Sequence, residues 1–370
     1  MILLNLKIIK LNLFLLIITL LLAACKQNEP KIEDELIKIK TSHISGVDVK
    51  LNNDTVLWNP LGITVFDTLV VFEDQSKSTA FSLINLTNGR LIKRFGYSGK
   101  GPGEMDILAV NLRRTQQMNT FVLYEANAPY RLFKYNLDSL VLVQRYKPES
   151  FCTLSPNYHF NDATIFNDSI IIGAFGGYKG YLYGILNCNN RSFSVQNLIT
   201  FPEEYNSGDY KKFMMQVLNG KTVINPFYNK ICYFSYKGLI LDISEIKNNN
   251  KLKSIFFKKY YFPTFFIDSR KYTRSVILKS GCRMGFNDVD ANEERIYTLF
   301  NGQQITKENN QFLFSNTILV YDWDGNLLES IKLDKTYSHI SVDPYNPNVI
   351  YGMHTYDSIY ITKFFLNERY

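Results

Sequence analysis

A six-bladed β-propeller of four-stranded antiparallel blades is the fold class this sequence predicts, and three observations predict it. A turn rich in Asp or Asn leads into a short apolar strand six times: at residues 68–72, 120–124, 169–173, 230–234, 295–299 and 348–352. Their spacing of about 50–65 residues is the scale of a propeller blade. Behind these strands lies a second pattern of strand, tight polar turn and strand, seen at 81–95, 131–146 and 317–333. Asn88-Gly89 and Asp324-Gly325-Asn326 supply the positive φ angles that short hairpin loops need. Third, almost no stretch keeps a helical period; the short helices expected are 210–218 and 276–279. A four-stranded meander cannot bury its faces alone, and radial packing of six of them does.

Taken in chain order, the first element is a leader. Lys7 and Lys10 precede an apolar run over 11–22, which Leu22, Ala23, Ala24 and Cys25 follow at once. Small residues before a cleavage point suit a signal peptidase. The cysteine directly after them resembles the lipobox of bacterial lipoproteins, which implies that Cys25 is acylated and tethers the mature chain by lipid. The apolar run is short for the ~30 Å of a bilayer's hydrocarbon. The expected division is therefore a signal peptide over 1–24, a lipidated tether over 25–35 and the propeller over 36–370, in the cell envelope at the outer membrane. The formal charge of +7 falls to +5 when Lys7 and Lys10 leave with the signal. No basic block of nucleic-acid type is present, so nucleic acid is not an expected partner.

In the propeller, the last repeat runs out of chain after 358–366, leaving its outermost strand missing. The alternating segment 36–40 has no other partner and is expected to supply that strand and close the ring. Asp138-Ser139 reads as a hairpin turn between strands 131–136 and 140–146. Beyond Cys25 the cysteines are Cys152, Cys188, Cys232 and Cys282. An oxidising compartment permits three disulfide connectivities among four thiols. Free thiols are the expectation, with Cys232 buried in an apolar run as a small hydrophobe.

Residues 95–105 read Phe-Gly-Tyr-Ser-Gly-Lys-Gly-Pro-Gly-Glu-Met. With the lipobox and the closing Leu-Val-Tyr-Asp-Trp-Asp-Gly-Asn at 319–326, the chain resembles the NHL and TolB-like six-bladed propeller lipoproteins of Bacteroidetes. That resemblance covers the mature chain and implies fold and compartment, not a reaction. The same loop fails as a phosphate cradle. Pro102 lacks an N–H where a P-loop needs one, Glu104 replaces the third glycine of a dinucleotide fingerprint, and no helix follows. Gly99, Gly101, Pro102, Gly103 and Glu104 are accordingly expected to form a structural link between blades, and no cofactor is expected.

Long connections at 96–110, 147–158, 201–225, 258–286 and 302–315 are expected to elaborate one face of the ring, since binding residues concentrate on long loops of a rigid scaffold. Blade-to-blade links and the loops between first and second strands are expected to gather there. The residues nominated for a binding face are Glu125, Asn127, Arg131, Tyr178, Lys179, Arg270, Tyr272, Arg274, His354 and Tyr356, because Tyr and Arg favour sugars, peptides and carboxylates. Catalysis finds little support: His43, His159, His339 and His354 show no HxxH or HExxH spacing, GxSxG is absent, and no metal site is legible. Glu203-Glu204 and Glu293-Glu294 look like surface charges. The expected function is a membrane-tethered binding or scaffold propeller for a protein, peptide or glycan. The alternative is a metal-dependent hydrolase or lyase with its site in the channel mouth. Converging acids in the channel would favour the alternative; mixed filling would favour the scaffold.

Overall fold

The computed structural model describes residues 31–366, apart from 107–109, 116, 118, 127–129, 149, 156–159, 168, 175–179, 206–207, 226, 228, 249, 269–273, 307–312 and 356. The chain opens with a short helix α1 (Ile32–Leu36), then strands β1 (Lys40–Ile44) and β2 (Val47–Val49). Blade 1 is β3 (Pro60–Phe66), β4 (Leu69–Asp74), β5 (Thr79–Asn85) and β6 (Arg90–Tyr97). Blade 2 is β7 (Val110–Arg114), β8 (Thr120–Glu125), β9 (Arg131–Asn136) and β10 (Ser150–Thr153), with α2 (Leu137–Leu142) before its last strand. Blade 3 is β11 (Asp162–Ile165), β12 (Ile170–Ala174), β13 (Tyr181–Asn187) and β14 (Ser192–Leu198). After helix α3 (Gly208–Val217), blade 4 is β15 (Gly220–Asn225), β16 (Lys230–Ser235), β17 (Leu239–Ile246) and β18 (Leu252–Tyr261). A hairpin of β19 (Phe265–Asp268) and β20 (Ser275–Leu278) leads to blade 5: β21 (Phe286–Ala291), β22 (Arg295–Phe300), β23 (Ser315–Asp322) and β24 (Leu327–Tyr337). Blade 6 is β25 (His339–Val342), β26 (Val349–His354) and β27 (Tyr360–Phe365), completed by β2.

Each of the six recurring strand signals is thus the second strand of a blade. These strands are mostly apolar because both their faces are covered by neighbouring blades; β8, β12 and β26 are buried along their whole length. The described residues form six apolar clusters, one at each blade boundary. Phe66, Phe81 and Phe95 of blade 1 meet Phe121, Phe133 and Tyr135 of blade 2, for example. At ~25 cal/mol per Å² of apolar surface removed from water, these boundaries dominate the stability of the ring.

The ring closes through the N-terminus, but not through residues 36–40. Val47–Val49 pairs antiparallel with β27 and supplies the fourth strand of blade 6. Residues 32–36 are helical instead, with Ile32 buried, and β1 lies parallel to the outer strand β24 of blade 5. The alternation read in 36–40 is therefore that of a segment crossing onto a neighbouring blade, one strand too early to close the ring. The following segment, with Leu51 and Leu57, wedges between blades 6 and 1. Thr55 Oγ1 there donates to the Gly89 carbonyl at 2.8 Å.

Three further expectations are corrected. The Asp138-Ser139 hairpin is helix α2, whose N-cap Asn136 accepts from the Ser139 N–H; the outer strand of blade 2 comes later, at Ser150–Thr153. Residues 275–278 form strand β20, because their apolar run pairs with β19. Cys152 and Cys188 are bridged, with Cα atoms 5.9 Å apart, so that the disulfide ties blade 2 to blade 3. Cys232 and Cys282 are free and buried. The expected helix at 210–218 is α3, and Asn88-Gly89 turns with φ of 68° at Gly89. Among the described residues no helix is long and apolar enough to cross a membrane.

Candidate functional site

Chain direction sorts the loops into two faces. Links from one blade to the next emerge with the second-to-third-strand loops at one end of the channel, here the link face. The first-to-second and third-to-fourth turns lie at the opposite end, the turn face. The long connections at 96–110, 201–225, 258–286 and 302–315 all belong to the link face. The first-to-second-strand loops do not join them, because each blade strand reverses direction.

Of the residues nominated from the sequence, the described ones, Glu125, Arg131, Arg274 and His354, lie at the link face. Glu125 is fully buried at the end of β8. Its carboxylate accepts from Arg131 Nε and Nη2 at 2.8 and 3.0 Å and from the Asp106 N–H at 2.6 Å, which ties the incoming link to the blade. His354 is buried as well: its Nδ1 lies 2.8 Å from the Thr336 carbonyl, its Nε2 2.9 Å from Asp357, and its ring stacks on Tyr360. Arg274 is exposed, with its guanidinium 5.3 Å from the Phe213 ring. Asn127, Tyr178, Lys179, Arg270, Tyr272 and Tyr356 lie outside the described residues, as do Cys25 and the rest of 1–30.

The glycine-rich segment is a link from blade 1 to blade 2. Glu104 folds its carboxylate back onto the Gly101 N–H at 2.9 Å, and its backbone N–H returns to the Gly101 carbonyl at 3.0 Å. Gly99 sits at φ 153°, where a Cβ would meet the Glu104 carboxylate at 2.1 Å, and Gly103, at φ 71°, packs against Lys147 and Pro148. Pro102 is exposed in the turn between them.

The inner strands β3, β7, β11, β15, β21 and β25 line the channel, and a belt of polar contacts, made by these strands together with Glu73 of β4, crosses every blade boundary. The Leu112 N–H donates to Glu73 Oε1 at 3.2 Å, joining blades 1 and 2. Arg113 lies 2.7 Å from Asp162, joining 2 and 3. Thr222 donates its N–H and hydroxyl to Asp162 at 2.8 and 3.0 Å, joining 3 and 4. Lys221 and Asp288 pair at 2.7 Å, joining 4 and 5. Asp288 accepts from the Ile340 N–H at 2.9 Å, joining 5 and 6, and the Val65 N–H donates to Ser341 Oγ at 3.0 Å, joining 6 and 1. Arg114 reaches across the channel to Asp290, which also accepts from the Val342 N–H at 2.8 Å.

The three cations of the belt each face a carboxylate, so the channel filling is mixed rather than acidic. Burial pushes the Glu73 carboxyl above the usual carboxylate range, more than Arg113 and the Leu112 N–H pull it down. Burial also raises Asp288, but Lys221 and His339 outweigh it, and that carboxyl stays below the usual range. Burial holds His339 below its ordinary value, Lys221 and Arg113 add to this, and Asp288 opposes it. Among the described residues no group of three His, Cys, Asp or Glu side chains is placed to hold a metal ion.

At its turn-face end the channel opens into a cavity of about 410 Å³, with Arg114, Lys221 and Asp290 on the wall. Ile165, Val223 and Ile224 supply apolar surface, and Glu293 and Glu294 stand exposed in the rim. Two aromatic side chains, Phe227 from blade 4 and Tyr345 from blade 6, line the mouth while 55% and 45% exposed. Sequence reasoning missed this site. Its signal was a charged or polar side chain within each repeat's first strand, a strand weaker in apolar residues than the second one that marks the repeat.

A family profile described as TolB-like 6-blade propeller-like matches residues 41–344, more than four-fifths of the chain. No curated protein matches the sequence. Among solved structures, a member of the DUF4221 family from Bacteroides vulgatus is 12% identical, with a TM-score of 0.51 over 86% of this chain and 95% of that one. A protein of unknown function from Bacteroides thetaiotaomicron is 9% identical, with a TM-score of 0.47 over 88% of this chain and 74% of that one. An auxiliary nutrient binding protein from the same species is 8% identical, with a TM-score of 0.42 over 83% of this chain and 69% of that one. The ring of six four-stranded blades and the profile that spans it agree: the chain belongs to the TolB-like six-bladed propeller family.

Proposed function

We propose that the chain is an exported envelope protein, lipid-anchored at Cys25, whose propeller binds a segment of a glycan, peptide or protein in the turn-face cavity. The observation that carries the binding reading is the cavity. Its volume lies within the range of small-ligand sites. The wall charges Arg114, Lys221 and Asp290 are already paired and the exposed charges are the rim carboxylates of Glu293 and Glu294, so the cavity does not suit a strongly anionic ligand. It offers instead two exposed aromatic rings at the mouth above a wall of apolar and hydrogen-bonding groups, the combination that anchors a ligand by stacking and orients it by polar contacts. The Cys152–Cys188 bridge supports the exported reading, because structural disulfides persist in oxidising compartments. No observation favours the hydrolase or lyase alternative, since each channel carboxylate is held by a cation or by backbone N–H groups.

The test is a screen of residues 26–370 against defined glycan and peptide libraries, followed by titration calorimetry on any binder. Phe227→Ala and Tyr345→Ala are expected to weaken binding about tenfold each, about 1.4 kcal/mol, with an unchanged melting temperature. A binder that neither change weakens, but that Arg274→Ala does, would move the site to the link face.

A further inference from the structure

We infer that the anchored propeller is held with its link face toward the bilayer and its cavity facing away from it. This rests on the reading of Cys25 as the lipid-bearing residue, and the geometry comes from the docked helix α1. Ile32 is 1% exposed in the apolar cluster between blades 4 and 5. Glu33 accepts from Arg283 and from the Tyr261 hydroxyl; Glu35 accepts from Lys258 and from the Tyr260 hydroxyl. Tyr260 and Tyr261 end the outer strand of blade 4, and Arg283 stands in the link that leaves it, so the start of α1 sits on the rim of the link face. From there the chain descends toward the turn face, because Lys40 pairs with Glu329 near the start of β24. The chain therefore enters the propeller from the link side.

Reach then decides the orientation. Seven Cα–Cα steps separate Cys25 from Ile32, at most about 25 Å when fully extended. Blade strands of six to eight residues stand about 20–26 Å tall before their loops are added. Laying the turn face on the bilayer would need the whole tether drawn taut down the side of a blade. Laying the link face there needs almost none of it.

The test uses the lipidated mature chain in vesicles of phosphatidylethanolamine and phosphatidylglycerol with a headgroup-attached nitroxide quencher. The native cysteines of the propeller are bridged or buried, so a fluorophore can be placed at Ser280→Cys on the link face or at Glu294→Cys on the turn face. Both positions are exposed, and each variant is compared with the parent chain by melting temperature before use. The expected result is quenching at position 280 at least threefold stronger than at 294. Equal quenching, or stronger quenching at 294, in vesicle-bound protein overturns the orientation while leaving the anchor intact. Intact mass and vesicle flotation report the anchor separately. A mature chain that carries no acyl group and does not float removes the anchor, and the orientation falls with it.

Discussion

Breaking the Cys152–Cys188 bridge is expected to cost a calculable part of the propeller's stability. The bridge closes a loop of 36 residues between the outer strand of blade 2 and the strand-end turn of blade 3. The chain-entropy relation for a loop of that size gives about 3.8 kcal/mol from the restricted unfolded state. The clusters between blades remain, so the native ring should survive the loss. For the roughly 300 described residues the unfolding entropy near 60 °C is about 0.6 kcal/mol/K, so the midpoint should fall by about 6 °C. The assay is differential scanning calorimetry of residues 26–370, with and without reductant, beside the Cys152→Ala/Cys188→Ala variant. Thiol titration in denaturant should find two reactive thiols, Cys232 and Cys282, and four after reduction. Four thiols without reductant, or a midpoint that moves by less than 1 °C, would refute the bridge as a stabilising staple.

Asp290→Ala leaves the charge of Arg114 largely buried with only the Val342 and Val65 carbonyls to accept from it, and the loss of one partner from such a pair costs about 3–5 kcal/mol. The expected fall in midpoint is about 5–8 °C, and Arg114→Met in the same chain should restore part of it. His339 titrates lower in the folded chain than in the unfolded one. Its contribution is therefore present above about pH 6.5 and lost as pH falls through the folded value. Urea midpoints at pH 7.5 and pH 5 should converge in His339→Asn relative to the parent. Gly89→Ala forces a side chain onto a backbone at φ 68°, with its Cβ 2.2 Å from the Lys50 carbonyl. A cost of about 1–3 kcal/mol is expected, with faster proteolysis of the N-terminal clasp as its signature.

The architecture was legible because its signals are local. Each second strand is dominated by apolar residues and follows an Asn or Asp turn, and Gly89 and Gly325 mark hairpins that no other residue would turn as easily. What was not legible depends on distant partners. Lys40–Ile44 and Val47–Val49 are both short alternating segments, and only the position of blades 5 and 6 decides which closes the ring. Asp138 and Ser139 are good turn residues that equally well occupy a first helical turn; capping by Asn136 and packing of Leu137 and Leu140 settle the matter. The disulfide joins cysteines 36 residues apart and the belt joins residues up to 276 apart, so neither leaves a spacing that a reader of one sequence could find.

The belt also explains why fold and site came apart in the sequence. Inner strands of a propeller converge on a narrow channel, where six fully apolar strands would leave backbone and side-chain dipoles of neighbouring blades without partners. Here the carboxylates of Asp162, Asp288 and Asp290 take donors from two elements each, one being a backbone N–H of a neighbouring blade. A carboxylate in that role is occupied on several sides and is poorly free to take up a metal or a substrate proton. The acids that a search for catalytic groups would pick first are thus the ones that join the blades. On the proposed binding reading, recognition falls to side chains outside the belt, and at the channel mouth these are Phe227 and Tyr345, the latter also donating its hydroxyl to Asn119 on the exposed rim. Their replacement by alanine should therefore lower affinity without lowering the melting temperature, while replacement of Asp290 should do the reverse until the ring itself opens.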